Sequence, residues 1–124
     1  MGTQTIPAGG GIPMHLHEAQ AEVLFIHLGR GTVVIEENPV SVEPGSTVYL
    51  PAGAWHALEN PGPSDLVLVW VISPPGLEGM FREIGSPVGE KALPLSRAEF
   101  EVIAGRHGVR VRPAGSPPES EQSG

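Results

Sequence analysis

Three histidines and a glutamate stand where side chains can do chemistry: His15 and His17 one residue apart, Glu22 shortly after them, and His56 a long loop away. Three neutral imidazoles and one carboxylate form a donor set that a mid-series divalent transition metal accepts, with positions left for water or substrate. A single histidine is more often a structural residue than a ligand, so the weight rests on the constellation. The two remaining histidines fit it poorly. His27 has the wrong strand parity relative to Glu22, and His107 lies at the end of a helical stretch, where a positive charge suits the helix dipole.

These side chains need elements to aim them. His15 and His17 project from one face if their segment is a strand, because side chains alternate. Glu22 is five residues past His17, which would place it on the opposite face of one continuous strand; a turn or bulge over 18–21 must bring it back. From Glu22 a strand runs to Leu28 and ends at Gly29-Arg30-Gly31, with Leu24, Ile26 and Leu28 sharing the side of Glu22. Further strands are expected over 32–36, closed by a turn at Asn38-Pro39, then over 40–43 and 47–50. Pro51-Ala52-Gly53 bends the chain just before His56, and Trp55 points away from the site. Leu66 to Ile72 is apolar on both faces, as in a strand buried between layers or at a subunit interface. Many short strands at near-even spacing indicate an all-β sandwich or barrel. After residue 75 the period changes. Leu77, Met80, Phe81 and Ile84 sit at helical spacing, and Ser96 with Glu99 forms a capping-box pattern for a second helix that stops at Gly108.

The two stretches read Gly9-x5-His15-x-His17-x4-Glu22-x6-Gly29 and Gly45-x5-Pro51-x-Gly53-x2-His56-x3-Asn60. Position for position they resemble the two motifs that define the cupin family. The resemblance implies a cupin double-stranded β-helix, a jelly-roll barrel, with one or two short C-terminal helices. It also implies His15, His17, Glu22 and His56 as ligands of a divalent ion, whether Fe, Mn, Ni, Co, Cu or Zn. Family spacing favours Glu22 over its neighbour Glu18 as the acid. The segment Gly76 to Glu83 resembles the post-barrel segment of small cupins grouped with quercetin dioxygenase, which lies near the barrel opening. Residues Ala98 to Pro113 look like the helix and strand that follow. The implied activity is a metal-dependent dioxygenase acting on a small oxygen-chelating substrate, with Glu22 moving from ligand to catalytic base. The alternatives are a non-catalytic metal- and small-ligand-binding cupin, or an isomerase of sugar-like or keto substrates. The expected organisation is a flexible lead over 1–11, the barrel over 12–75, a helical extension over 76–112 and a polar tail over 113–124.

Composition narrows the partners. The net charge is −7 with no basic stripe, which argues against nucleic acid. There is no cysteine, so thiolate ligation and disulfides are excluded. No apolar run is long enough to span a membrane, and the N-terminus lacks the basic-then-apolar order of a signal peptide, so a cytoplasmic location is expected. Tyr49, Trp70, Met80 and Phe81 are the candidate walls of a substrate pocket. The two-sided strand at 66–72 suggests a homodimer.

Overall fold

A computed structural model describes residues 1–85 and 96–112. Nine strands and two helices are present among them: β1 (Gly2–Ile6), β2 (Gly11–His17), β3 (Ala21–Leu28), β4 (Gly31–Ile35), β5 (Asn38–Val42), β6 (Thr47–Leu50), β7 (His56–Glu59), β8 (Leu66–Ser73), α1 (Glu78–Ile84), α2 (Arg97–Arg106) and β9 (Val109–Val111). The strands form two antiparallel sheets, one ordered β1-β8-β3-β6 and the other β5-β4-β7-β2-β9. Their inward residues make the core: Ile6, Leu24, Ile26, Val33, Val42, Val48, Leu50, Leu58, Leu66 and Leu68. This is the jelly-roll arrangement of an all-β sandwich with two short helices appended. Among the described residues no helix is long and apolar enough to cross a membrane.

Strand parity explains most of the packing. Along β3, Glu22, Leu24 and Ile26 are buried while Val23, Phe25 and His27 face outward. Leu28, expected on the inner side, is exposed, because the register with β8 slips between Ile26 and Leu28. The turn closing β4 falls at Glu36-Glu37 rather than at Asn38-Pro39, and Glu36 takes a left-handed φ of 56°. Pro39 then lies in β5, an edge strand, where its missing N–H leaves no ladder bond unmade.

The barrel is wider in sequence than the expected 12–75. The segment read as a flexible lead contains β1, which pairs with β8 from Gly2↔Trp70 to Ile6↔Leu66. Ile6 is buried, and Asn60 pins the end of this strand by donating through Nδ2 to the Ile6 carbonyl at 2.9 Å and to the Ser64 carbonyl at 2.8 Å. At the other end β9 extends the five-stranded sheet by pairing with β2. The tail over 113–124 lies outside the described residues, as do residues 86–95 of the expected helical extension.

The helices pack as a second apolar cluster of Leu77, Met80, Ala104 and Val109, with Ile72, Phe100 and Ile103 against it. Ser96 caps α2 by accepting from the Glu99 amide at 3.1 Å. Glu83 of α1 ties the two helices together: Arg106 donates to it at 3.0 Å, and His107 Nε2 lies 3.2 Å from its other oxygen.

Candidate metal centre

Three strands from two sheets bring the ligand candidates together. β2 carries His15 and His17 on its inner side, and neighbouring β7 begins with His56 directly opposite His15. β3 of the facing sheet supplies Glu22, after residues 18–20 reverse the chain. The approach to His56 is set by Gly53, which has a φ of +80° and donates its amide to the His17 carbonyl at 2.8 Å. That conformation costs glycine little and side-chain-bearing residues more.

One ligand nitrogen from each of His15, His17 and His56 lies within 4.8 Å of the others. Glu22 Oε2 sits 3.2 Å from His17 Nε2 and 3.4 Å from His56 Nε2. His17, Glu22 and His56 are buried. The tautomers of two rings follow from their neighbours. His15 Nδ1 contacts the Pro13 carbonyl at 2.8 Å and His56 Nδ1 contacts the Ala54 carbonyl at 3.0 Å. A carbonyl can only accept, so each Nδ1 carries the proton and each Nε2 offers its lone pair, the outer arrangement usual for metal-binding histidines. His17 Nδ1 is buried with no hydrogen-bond partner among the described residues.

Glu22 Oε2 is likewise buried and meets hydrogen-bond geometry with neither imidazole, close as they are. The His56 lone pair facing a carboxylate oxygen is favourable only with a cation, proton or metal, between them. This orphaned oxygen among converging nitrogens fits a divalent ion. Burial, with the neighbouring His56 adding to it, lowers His15 from 6.5 to about 4, so the ring is neutral and free to ligate at ordinary pH. Burial alone would raise Glu22, but the His17 and His56 rings beside it outweigh that and hold its carboxyl at about 2.

The four groups line a cavity of ≈320 Å³ lying where the two apolar clusters meet. The barrel contributes Leu24, Leu58, Leu68, Trp70 and Ile72 to its walls, and the helices contribute Leu77, Met80, Phe81 and Phe100. Trp70 and Phe81 stack with centroids 5.5 Å apart and planes at 28°. Of the four wall candidates read from the sequence, Trp70, Met80 and Phe81 lie on this cavity. Tyr49 does not. It is 63% exposed on the outside of the four-stranded sheet, because Val48 and Leu50 on either side of it take the inward positions of β6. Glu18 and His27 are exposed, and Trp55 is packed away from the cavity with the Arg112 guanidinium 4.6 Å from its ring centre. Sequence reasoning missed Thr3 and Gln4, which β1 brings to the cavity, and Val109 and Val111, which β9 brings. Only the pairing partners β8 and β2 place those short strands.

Comparison with known proteins agrees with this geometry. The cupin domain family matches residues 2–72. An oxalate-binding protein of Thermotoga maritima is 31% identical over 67 residues, covering 54% of this chain and 55% of that protein. A mannose-1-phosphate guanylyltransferase of Escherichia coli is 34% identical over 74 residues, 60% of this chain but 16% of the enzyme. Among solved structures, a Thermotoga maritima protein described as a predicted oxalate decarboxylase superposes with a TM-score of 0.55 at 30% identity, over 56% of this chain and 61% of that one. The chain thus spans about half the length of the oxalate-binding relative and far less of the guanylyltransferase. With the family match covering more than half of its residues and both sheets in place, the chain belongs to the cupin family.

Proposed function

We propose that this chain is a metal-dependent dioxygenase that takes a small oxygen-chelating substrate at the site formed by His15, His17, Glu22 and His56. The observation behind this reading is that four donors converge on one side of a cavity whose other walls are almost wholly apolar. A divalent transition ion held there would act as a Lewis acid, making a chelating hydroxyl or enol more acidic. The chain's own residues supply the rest. The Pro13 and Ala54 carbonyls keep the Nε2 lone pairs of His15 and His56 aimed inward. Glu22, one of the candidate ligands, would shift away from the ion to take the proton that the substrate loses. Ile72, Leu77, Met80 and Phe100 would shield from water the electron-rich anion that the substrate becomes on losing its proton, the form that dioxygen would attack.

The same donors support a second reading. A base beside a metal-chelated carbonyl could isomerise a keto or sugar-like substrate, or the site could hold a ligand without turnover, as the name of the oxalate-binding relative suggests. Elemental analysis followed by oxygen uptake with catechols, diketones and flavonols separates them. Stoichiometric metal with uptake on any member supports the dioxygenase; metal without uptake turns the reading to an isomerase or binding protein. Absence of metal after reconstitution would overturn the site itself.

We also propose that a second copy of the chain covers the outer face of the four-stranded sheet. Val23 pairs across to Val71 and Tyr49, and Phe25 pairs to Val69, so these side chains form one apolar surface. Phe25 is 43% and Val71 42% exposed.

A further inference from the structure

The cavity holds a pattern beyond its metal donors. Apart from the four ligand candidates, its only polar side chains among the described residues are Thr3 and Gln4, both uncharged. No lysine or arginine lies among the described lining residues. A bound divalent ion with Glu22 leaves the site one positive charge, enough to balance a singly charged chelator. A dianion such as oxalate, or a phosphate monoester, would keep a further negative oxygen in apolar surroundings with no cationic partner among the described lining residues, which burial penalises heavily.

The walls say what the rest of the ligand is. Trp70 and Phe81 present a stacked aromatic pair, with Met80 and Phe100 beside them. Trp70 is held in place from behind: a Cβ on Gly2 would stand 2.5 Å from indole Cζ2, so the ring lies directly on the backbone of β1. An indole so wedged, with Phe81 stacked against it, gives the cavity a rigid aromatic wall. The volume of ≈320 Å³ is near the lower end of small-molecule pockets (roughly 300–1,000 Å³), room for one ring and its chelating head rather than a fused polycycle.

We infer that the site selects a single-ring aryl chelator, one aromatic ring joined to a two-oxygen head of at most one negative charge, and rejects oxalate and sugar phosphates. This rests on the metal-centred reading above and specifies its substrate class. The aromatic pair and the uncharged lining among the described residues act on the ligand's body and charge, independently of which reaction follows.

Two hydroxamates test it, because they share one chelating head and differ in the ring. The full chain is loaded with nickel, and binding of benzohydroxamate, acetohydroxamate, oxalate and glucose 6-phosphate is measured by calorimetry. Benzohydroxamate is expected to bind about tenfold or more tightly than acetohydroxamate, since burying the ring adds apolar contact that the methyl group lacks. Oxalate and glucose 6-phosphate are expected to bind more weakly than benzohydroxamate. The Phe81→Ala variant, altered at a half-exposed helix position, should lose most of the tenfold preference and keep its acetohydroxamate affinity. Equal affinity for the two hydroxamates, or oxalate or glucose 6-phosphate as the tightest ligand, would overturn the inference while leaving the metal site standing. Nickel that does not bind at all would overturn both.

Discussion

His56 is the residue on which the centre depends most directly, since it alone comes from the second motif and is almost fully buried. Replacing it with alanine is expected to abolish stoichiometric metal, measured by elemental analysis, while the circular dichroism of the sheets persists. Acid should act on the same cluster in a defined direction. His15 titrates at about 4 when folded against 6.5 when unfolded, so between those values the unfolded chain binds the extra proton. Glu22 titrates at about 2 against 4.5, so the unfolded chain binds more protons there too. Stability of the metal-free protein therefore falls as pH drops below 6.5 and continues to fall below 4.5. The His15 part is on the order of 2–3 kcal/mol. Urea midpoints between pH 7 and 4 check it, and His15→Gln should flatten that slope. The convergence of His15, His17, Glu22 and His56 was legible in the sequence through the resemblance to the cupin motifs, since strand parity alone would set Glu22 on the opposite face. Tyr49 was not, since an aromatic residue in a strand reads alike whether it faces a pocket or solvent.

Among the elements, legibility followed the strength of the local pattern. β3, β6 and β8 carry long apolar or β-branched runs, and α1 and α2 announce themselves by spacing and a capping residue. β1 does not: Thr3-Gln4-Thr5 is polar, and its place depends on the β8 edge to which it bonds. A strand fixed by a distant partner leaves little trace in its own residues. The turn at Glu36-Glu37 was misplaced for a related reason, because proline and asparagine dominate turn statistics yet an edge strand accommodates both. α2 offers a separable test. Ser96→Ala removes the bond to the Glu99 amide and should cost about 1 kcal/mol, seen as faster amide exchange confined to α2. Metal stoichiometry should be unchanged, since β2, β3 and β7 hold every ligand.

For the molecule as a whole, the two-sided apolarity of β8 divides cleanly between its faces. Leu66 and Leu68 are in the core and Trp70 and Ile72 on the cavity, while Val71 is left to solvent in the single chain. Sedimentation at micromolar concentration is expected to show a two-fold dimer. Val71→Glu, which would set two like charges against each other across that axis, should yield a folded monomer. A wild-type monomer would refute the pairing.

The helical side of the cavity has a consequence for kinship. All four candidate ligands fall within residues 2–72, the span of the family match. Leu77, Met80, Phe81, Phe100, Val109 and Val111 all lie beyond it. The donor cluster and the barrel side of the cavity, Trp70 included, thus lie within the family match, while its helical side does not. Kinship in this protein speaks for the barrel and its donor cluster and is mute about the helical wall that closes the cavity.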